Sequence, residues 1–220
     1  MDRLASSRLR RVVVPAALVL AATFGALPAS CRTLAVPSAA NCTVPDVIVG
    51  CWDGVPDNTS PTQCAPPSPG FEVIVRDFNN MPIGGSTVMI RFAGTGVRPH
   101  SVQNPGITVM CPTGDLSRLT NAVGSARFAA RLAGFTLPPA IRVVADGILL
   151  RQVPALSPDY DGNGLVDLND FSTFATDFLN TNPQPRSDFD NCLGLRLGDY
   201  SFFSAQFIAC INKPAATLCP

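Results

Sequence analysis

The string Asp159-Tyr160-Asp161-Gly162-Asn163-Gly164-Leu165-Val166-Asp167-Leu168-Asn169-Asp170 places oxygen donors at alternate positions of one short loop. Asp159, Asp161 and Asn163 stand at positions 1, 3 and 5, and Gly164 stands at the turn position 6. The Leu165 carbonyl serves position 7, Asp167 position 9, and Asp170 closes the loop at position 12. Calcium, a hard divalent cation, takes about six to eight oxygens at flexible geometry, and acidic side chains alternating along a tight loop supply them. Four carboxylates on so short a stretch repel one another unless a cation sits among them. Asp159, Asp161, Asn163, Leu165, Asp167 and Asp170 are therefore the expected ligands of a bound Ca2+.

The pattern returns 29 residues later, where Asp188, Asp190 and Asp199 repeat Asp159, Asp161 and Asp170. Cys192 now occupies position 5, Leu193 replaces the turn glycine, and Arg196 stands where the first loop has Asp167. With an oxygen donor lost and a cation added, this second site is expected to bind calcium weakly. Behind the loops, Phe171, Phe174 and Phe178 recur as Tyr200, Phe203 and Phe207. Spacing of i, i+3 and i+7 puts each set on one helical face. The two faces are expected to close on each other as core, leaving no aromatic platform for a ligand.

Two prolines, Pro154 and Pro158, exclude a helix before the first loop, and the closing residue is Asp where an EF-hand carries Glu. A calcium loop followed by one helix, present twice over residues 157–210, resembles a type I dockerin. The resemblance implies a small α domain, residues 154–220, that docks onto a protein partner, cohesin-like or on the cell surface. Leu168-Asn169 and Leu197-Gly198 stand at loop positions 10 and 11, where cohesin-binding members carry Ser/Thr-type pairs. That departure favours anchoring or assembly in an exported protein over cellulosome attachment. A disulfide from Cys192 to Cys210 or Cys219 is the expected staple of the second half.

The elements ahead of the loops have the period of strands. Phe71, Val73 and Val75 alternate with polar or outward positions, as do Val88, Ile90 and Phe92, and Ile107, Val109 and Cys111. Ala126, Phe128, Ala130 and Leu132 alternate with Arg127, Ala129 and Arg131, which puts both arginines on the solvent face. Ile141 to Ala145 leads through Asp146-Gly147, a hairpin signal, into Ile148 to Val153. Val47 to Cys51 is a possible seventh strand. These elements predict a β-sandwich over residues 70–153. Val73-Ile74-Val75-Arg76-Asp77, Pro82 to Val88 and Thr120 to Phe128 resemble bacterial immunoglobulin-like domains of the invasin kind. The resemblance implies a spacer or adhesive stalk and no catalysis. The fold class expected for the whole is an all-β immunoglobulin-like sandwich followed by the small α dockerin-like domain. Residues 31–69 form a Cys- and Pro-rich segment that could add the sandwich's first strand.

Composition agrees with that architecture. Hydrophobic content of 46% provides a core, while 21 Pro and 17 Gly suit short strands and many turns. Arg3, Arg8, Arg10 and Arg11 precede an apolar run from Val12 to Phe24 and the small residues Ala26 to Ser30. This is the pattern of a secretory signal over residues 1–30, too short to span a bilayer. Its removal takes away four Arg and one Asp and leaves a net charge of −3, so nucleic acid is not an expected partner. A membrane contact would require lipidation of Cys31. Eight cysteines in an exported protein point to disulfides. With no Cys-x-x-Cys pair and only His100, zinc and thiol catalysis are not expected. A glycosidase needs two carboxyl groups across a cleft. The sandwich offers only Glu72, Asp77, Asp115 and Asp146, all at strand edges or turns. A secreted or cell-surface, non-catalytic protein is the reading. The alternative is an accessory part in polysaccharide degradation, as a carbohydrate-binding sandwich or a cellulosome-type subunit.

Overall fold

In the computed structural model, the described residues are 35–52, 70–182, 184–192 and 194–220. The expected secretory signal, Cys31, Cys64 and Leu193 lie outside them. Among the described residues ten strands come first: β1 (Ile48–Val49), β2 (Phe71–Ile74), β3 (Thr87–Arg91), β4 (Arg98–Pro99), β5 (Thr108–Met110), β6 (Asp115–Leu119), β7 (Ser125–Phe128), β8 (Leu132–Ala133), β9 (Thr136–Ala145) and β10 (Ile148–Leu156). Helices α1 (Leu168–Leu179) and α2 (Leu197–Cys210) follow, with a single 3-10 turn at Pro185–Ser187 between them. The protein is thus sheet-rich with a helical C-terminal part. No helix among the described residues is long and apolar enough to cross a membrane.

A six-stranded sheet in the order β1-β10-β9-β3-β6-β5 forms one β layer, and short β2–β7 and β4–β8 ribbons stand apart from it. The period-two residues explain how they share a core. Val88 and Ile90 of β3, Ile141, Val143 and Ala145 of β9, and Val153 of β10 are buried with Phe71, Val73, Ala126 and Phe128 of the β2–β7 ribbon. Phe71 pairs in register with Phe128, and their rings stack at 5.1 Å. Full burial of each Val, Ile or Phe among them stabilises by about 1.5–3 kcal/mol.

Turn chemistry sets the register. Asp146 and Gly147 have φ of 47° and 87°, both in the left-handed region that a two-residue hairpin between twisted strands requires. The Asp146 carboxylate also accepts from Thr87 N (2.8 Å) and Ser86 Oγ (2.7 Å), tying the hairpin to the start of β3. Asn121 Oδ1 accepts from Val123 N and Ser125 N, both at 3.0 Å, ahead of β7. Gly124 has no room for a side chain, since a Cβ there would lie 2.5 Å from the Val75 carbonyl.

The structure departs from the sequence reading in several places: β4 is unexpected, and the run from Ala126 to Leu132 is split between β7 and β8. β6, between β3 and β5 in the sheet, is not among the expected strands; Asp-Leu-Ser-Arg-Leu puts only Leu116 into the core, so it shows no alternation. Arg127 is on the solvent face, paired with Glu72 at 3.0 Å, but Arg131 is half-buried rather than solvent-facing, with its N–H donating to Gln103 Oε1 (2.9 Å). β10 runs past Val153 to Leu156, and Pro154 sits at the register shift between Val153 and Ala155, where a residue lacking an N–H is tolerated. Val47 to Cys51 does supply a strand, β1, which pairs parallel to β10.

The segments expected at 31–69 and 154–220 share a second core, against which Phe135 of the 70–153 segment packs. Val47, Val49 and Leu156 from the sheet side are buried with Tyr160, Phe174, Phe189, Phe202 and Phe203, and Trp52 and Phe135 pack against them.

Candidate metal centre

The first acidic loop leaves the end of β10 directly. Strand, not helix, leads into it, and Gly134 N–H holds the Asp159 carbonyl at 2.7 Å. Asp159 organises the loop from within. Its Oδ1 accepts from Gly162 N (2.8 Å) and Asn163 N (3.1 Å), and its Oδ2 from Gly164 N (2.8 Å). Gly162 and Gly164 reach these positions with φ of 69° and 87°. Asp170 closes the ring: its Oδ1 accepts from Tyr160 N (2.7 Å) and its Oδ2 from Asp167 N (2.9 Å).

The result is that ligand oxygens of Asp159, Asp161 and Asp170 lie within 4.8 Å of one another. Asn163 borders this cluster, its Nδ2 donating to Asp161 Oδ2 (3.0 Å) and Asp167 Oδ2 (3.3 Å). Asp167 stands outside the three-carboxylate cluster and is the N-cap of α1, with Oδ1 accepting from Asn169 N (2.7 Å). At Leu165 it is the N–H that makes a contact, donating to Asn163 Oδ1 at 2.8 Å, and not the carbonyl expected to serve the ion.

The second loop repeats the scheme with substitutions. Asp188 accepts from Cys192 N (2.9 Å) and Gly194 N (3.2 Å), and Asp199 from Phe189 N (2.7 Å) and Arg196 N (2.8 Å). Asp188, Asp190 and Asp199 also converge within 4.8 Å. The left-handed positions are Asn191 (φ 54°), equivalent to Gly162, and Gly194 (φ 123°), one residue beyond the position of Gly164. Asp190 Oδ1 is buried, with no hydrogen-bond partner among the described residues.

Burial and mutual repulsion work against ionisation at both clusters. Burial pushes the Asp159 carboxyl up to about 7, against the Gly164 and Gly162 N–H donors and with the help of Asp170 and Asp161. Burial likewise lifts Asp170 to about 6, and burial with Asp199 and Asp188 lifts Asp190 to about 6. Asp199 is raised by burial as well. Such groups resist ionising together, and a divalent ion removes the conflict. The three carboxylates of each cluster offer oxygen donors only, which suits a hard cation such as calcium better than zinc.

Helices α1 and α2 close on each other through the repeated aromatics. Phe174 and Phe203 are fully buried and stack at 4.6 Å. Phe171 crosses to Phe203 and Phe207 (6.3 and 5.9 Å), and Tyr200 to Phe174 and Phe178 (6.4 and 6.1 Å). Sequence reasoning missed Tyr160 and Phe189, which fill the same core beside Phe203 and Phe174. They are themselves a repeat pair, each directly after the first aspartate of its loop, and that equivalence was the available signal. Also missed was a buried polar link: Tyr160 Oη to Ser187 Oγ (2.8 Å), Ser187 Oγ to Asp177 Oδ2 (2.7 Å), and a two-bonded Arg186–Asp177 ion pair at 2.7 and 2.9 Å. No spacing rule foretells it.

The expected staple is corrected. Cys192 is disulfide-bonded, but Cys219 is bonded to Cys111, and Cys210 keeps a thiol that accepts from Val166 N at 3.2 Å. The partner of Cys192 is thus neither of the two expected. Compared with known proteins, the sequence and fold match no family model, no curated protein and no solved structure.

Proposed function

We propose that this is an exported, non-catalytic calcium-binding protein, in which a dockerin-like pair of loop-helix units behind an immunoglobulin-like sandwich serves docking or anchoring. The observation that carries the reading is the convergence of Asp159, Asp161 and Asp170 on one point, held by backbone donors and duplicated at Asp188, Asp190 and Asp199. Calcium supplies charge neutralisation there. Asp159, Asp161 and Asp170 would hold it, with Asn163 beside them. Docking is supported by Leu168 and Leu197, which occupy equivalent places at the start of α1 and α2 and are 72% and 78% exposed.

Absence of catalysis is supported by the state of the β region's acids. Glu72 is bound to Arg127 and Ser125, Asp77 to the N–H groups of Asn79 and Met81, Asp146 to the start of β3, and Asp115 lies 4.0 Å from Arg91. Each serves a turn or a strand edge. The test is calorimetric titration of the full-length protein with calcium. One strong site that disappears in Asp159→Ala, and a weaker one that disappears in Asp188→Ala, are expected; no heat in the parent would refute the reading.

A further inference from the structure

The C-terminal tail, residues 211–220, makes a path across the first loop that no feature of the loop itself requires. Ala216 N donates to the Gly164 carbonyl at 2.8 Å, Ser101 N to the Thr217 carbonyl at 2.8 Å, and Cys219 N to the Pro99 carbonyl at 2.9 Å. Cys219 is then bonded to Cys111, beyond the end of β5. Gly164 is built to receive the tail, because a Cβ there would sit 2.5 Å from the Ala216 carbonyl oxygen. The same Gly164 carbonyl also accepts from Trp52 Nε1 at 2.9 Å.

This contact reaches the acidic cluster through one peptide unit. The Gly164 carbonyl is pinned by Ala216 and Trp52, while the N–H of that same peptide, on Leu165, donates to Asn163 Oδ1. Asn163 in turn donates to Asp161 and Asp167, and the Gly164 N–H holds Asp159. Of the tail residues only Cys219 is buried. A few backbone hydrogen bonds and one buried side chain do not offset the entropy of ordering such a segment, so the covalent bond is what keeps it seated.

We infer that the tail is a disulfide-held strap that positions the first calcium loop, so that the Cys111–Cys219 bond and calcium at Asp159, Asp161 and Asp170 strengthen each other. The inference rests on the calcium reading above. Linkage makes it reciprocal: whatever factor the bond adds to calcium affinity, calcium adds to the stability of the bond. Reduction by a dithiol moves two electrons and two protons to the Cys111 and Cys219 sulfurs, and the dithiol leaves as its own disulfide. Ala216, Gly164 and Trp52 are positioning residues.

The test uses the oxidised full-length protein. Calcium affinity is measured in the parent and in Cys111→Ser/Cys219→Ser. Reduction by dithiothreitol is followed with and without calcium, by mass-mapped alkylation of Cys111 and Cys219. About tenfold weaker binding in the variant is expected. So is a shift of the bond's reduction potential by calcium of about 30 mV, the two-electron equivalent of tenfold. Val73→Ala, which removes buried side-chain volume from the sheet core away from the loop, should lower the melting temperature and leave the calcium affinity unchanged. Unchanged affinity in the double variant, or a reduction equilibrium indifferent to calcium, would overturn the strap. The reduction measurement needs no variant, so it decides the matter even if the double variant misfolds. A parent that takes up no calcium defeats the calcium reading itself.

Discussion

Calcium uptake at the first loop should expel protons, by an amount set by two carboxyl groups. Asp159 is raised to about 7 and Asp170 to about 6, chiefly by burial. An ion among them requires both to be ionised. At pH 6 the proton must be removed from about nine Asp159 groups in ten and half of the Asp170 groups, which weakens apparent binding about twentyfold relative to pH 8. At pH 6.5 the two together release about one proton per ion. Calorimetry in two buffers of different ionisation enthalpy measures that proton directly, and titrations from pH 6 to pH 8 give the slope. The sign for folding follows from the same groups. A carboxyl with a raised folded pKa contributes stability that is present below about pH 4 and lost as pH rises through its folded value. For Asp159 the gap from 3.8 to about 7 corresponds to about 4 kcal/mol. Metal-free protein should therefore lose stability from these groups between pH 4 and pH 7, and calcium should restore it at neutral pH. Enthalpies that do not depend on the buffer, with affinity flat from pH 6 to pH 8, would refute the burial argument.

Three further outcomes are expected. Phe203→Ala empties the centre of the helix pair, where the ring is fully buried and 4.6 Å from Phe174; denaturant melts should show a loss of about 3–5 kcal/mol. Arg186→Met strips the buried Asp177 of its paired cation; the cost should approach about 3–5 kcal/mol in the same assay, reduced by the remaining Ser187 hydroxyl. Gly164→Ala forces a side chain into a left-handed position (φ 87°) and into the Ala216 carbonyl; calcium affinity should fall by at least tenfold while far-ultraviolet circular dichroism shows the sheet retained.

What the sequence made legible was local. The oxygen spacing of the loops, the Asp146-Gly147 hairpin and the aromatic face of each helix are encoded within a dozen residues or fewer, where periodicity and turn chemistry act. The missing parts depend on distant partners. β6 has one core residue and exists because β3 and β5 flank it. Trp52 lies in a segment without strand alternation, yet its indole reaches the Gly164 carbonyl across 112 positions of sequence. The pairing of Cys111 with Cys219 spans 108 positions, and no spacing argument could choose it over its rivals.

The Cys111–Cys219 bond also determines where force travels. Tension that enters the protein past Cys219 crosses the sulfurs to Cys111 and so reaches the sheet without first running through α2. Both helices and both acidic loops lie between these two residues in sequence, and the disulfide at Cys192 ties that stretch a second time. A tether pulled from that side loads the edge of the sheet at β5 first.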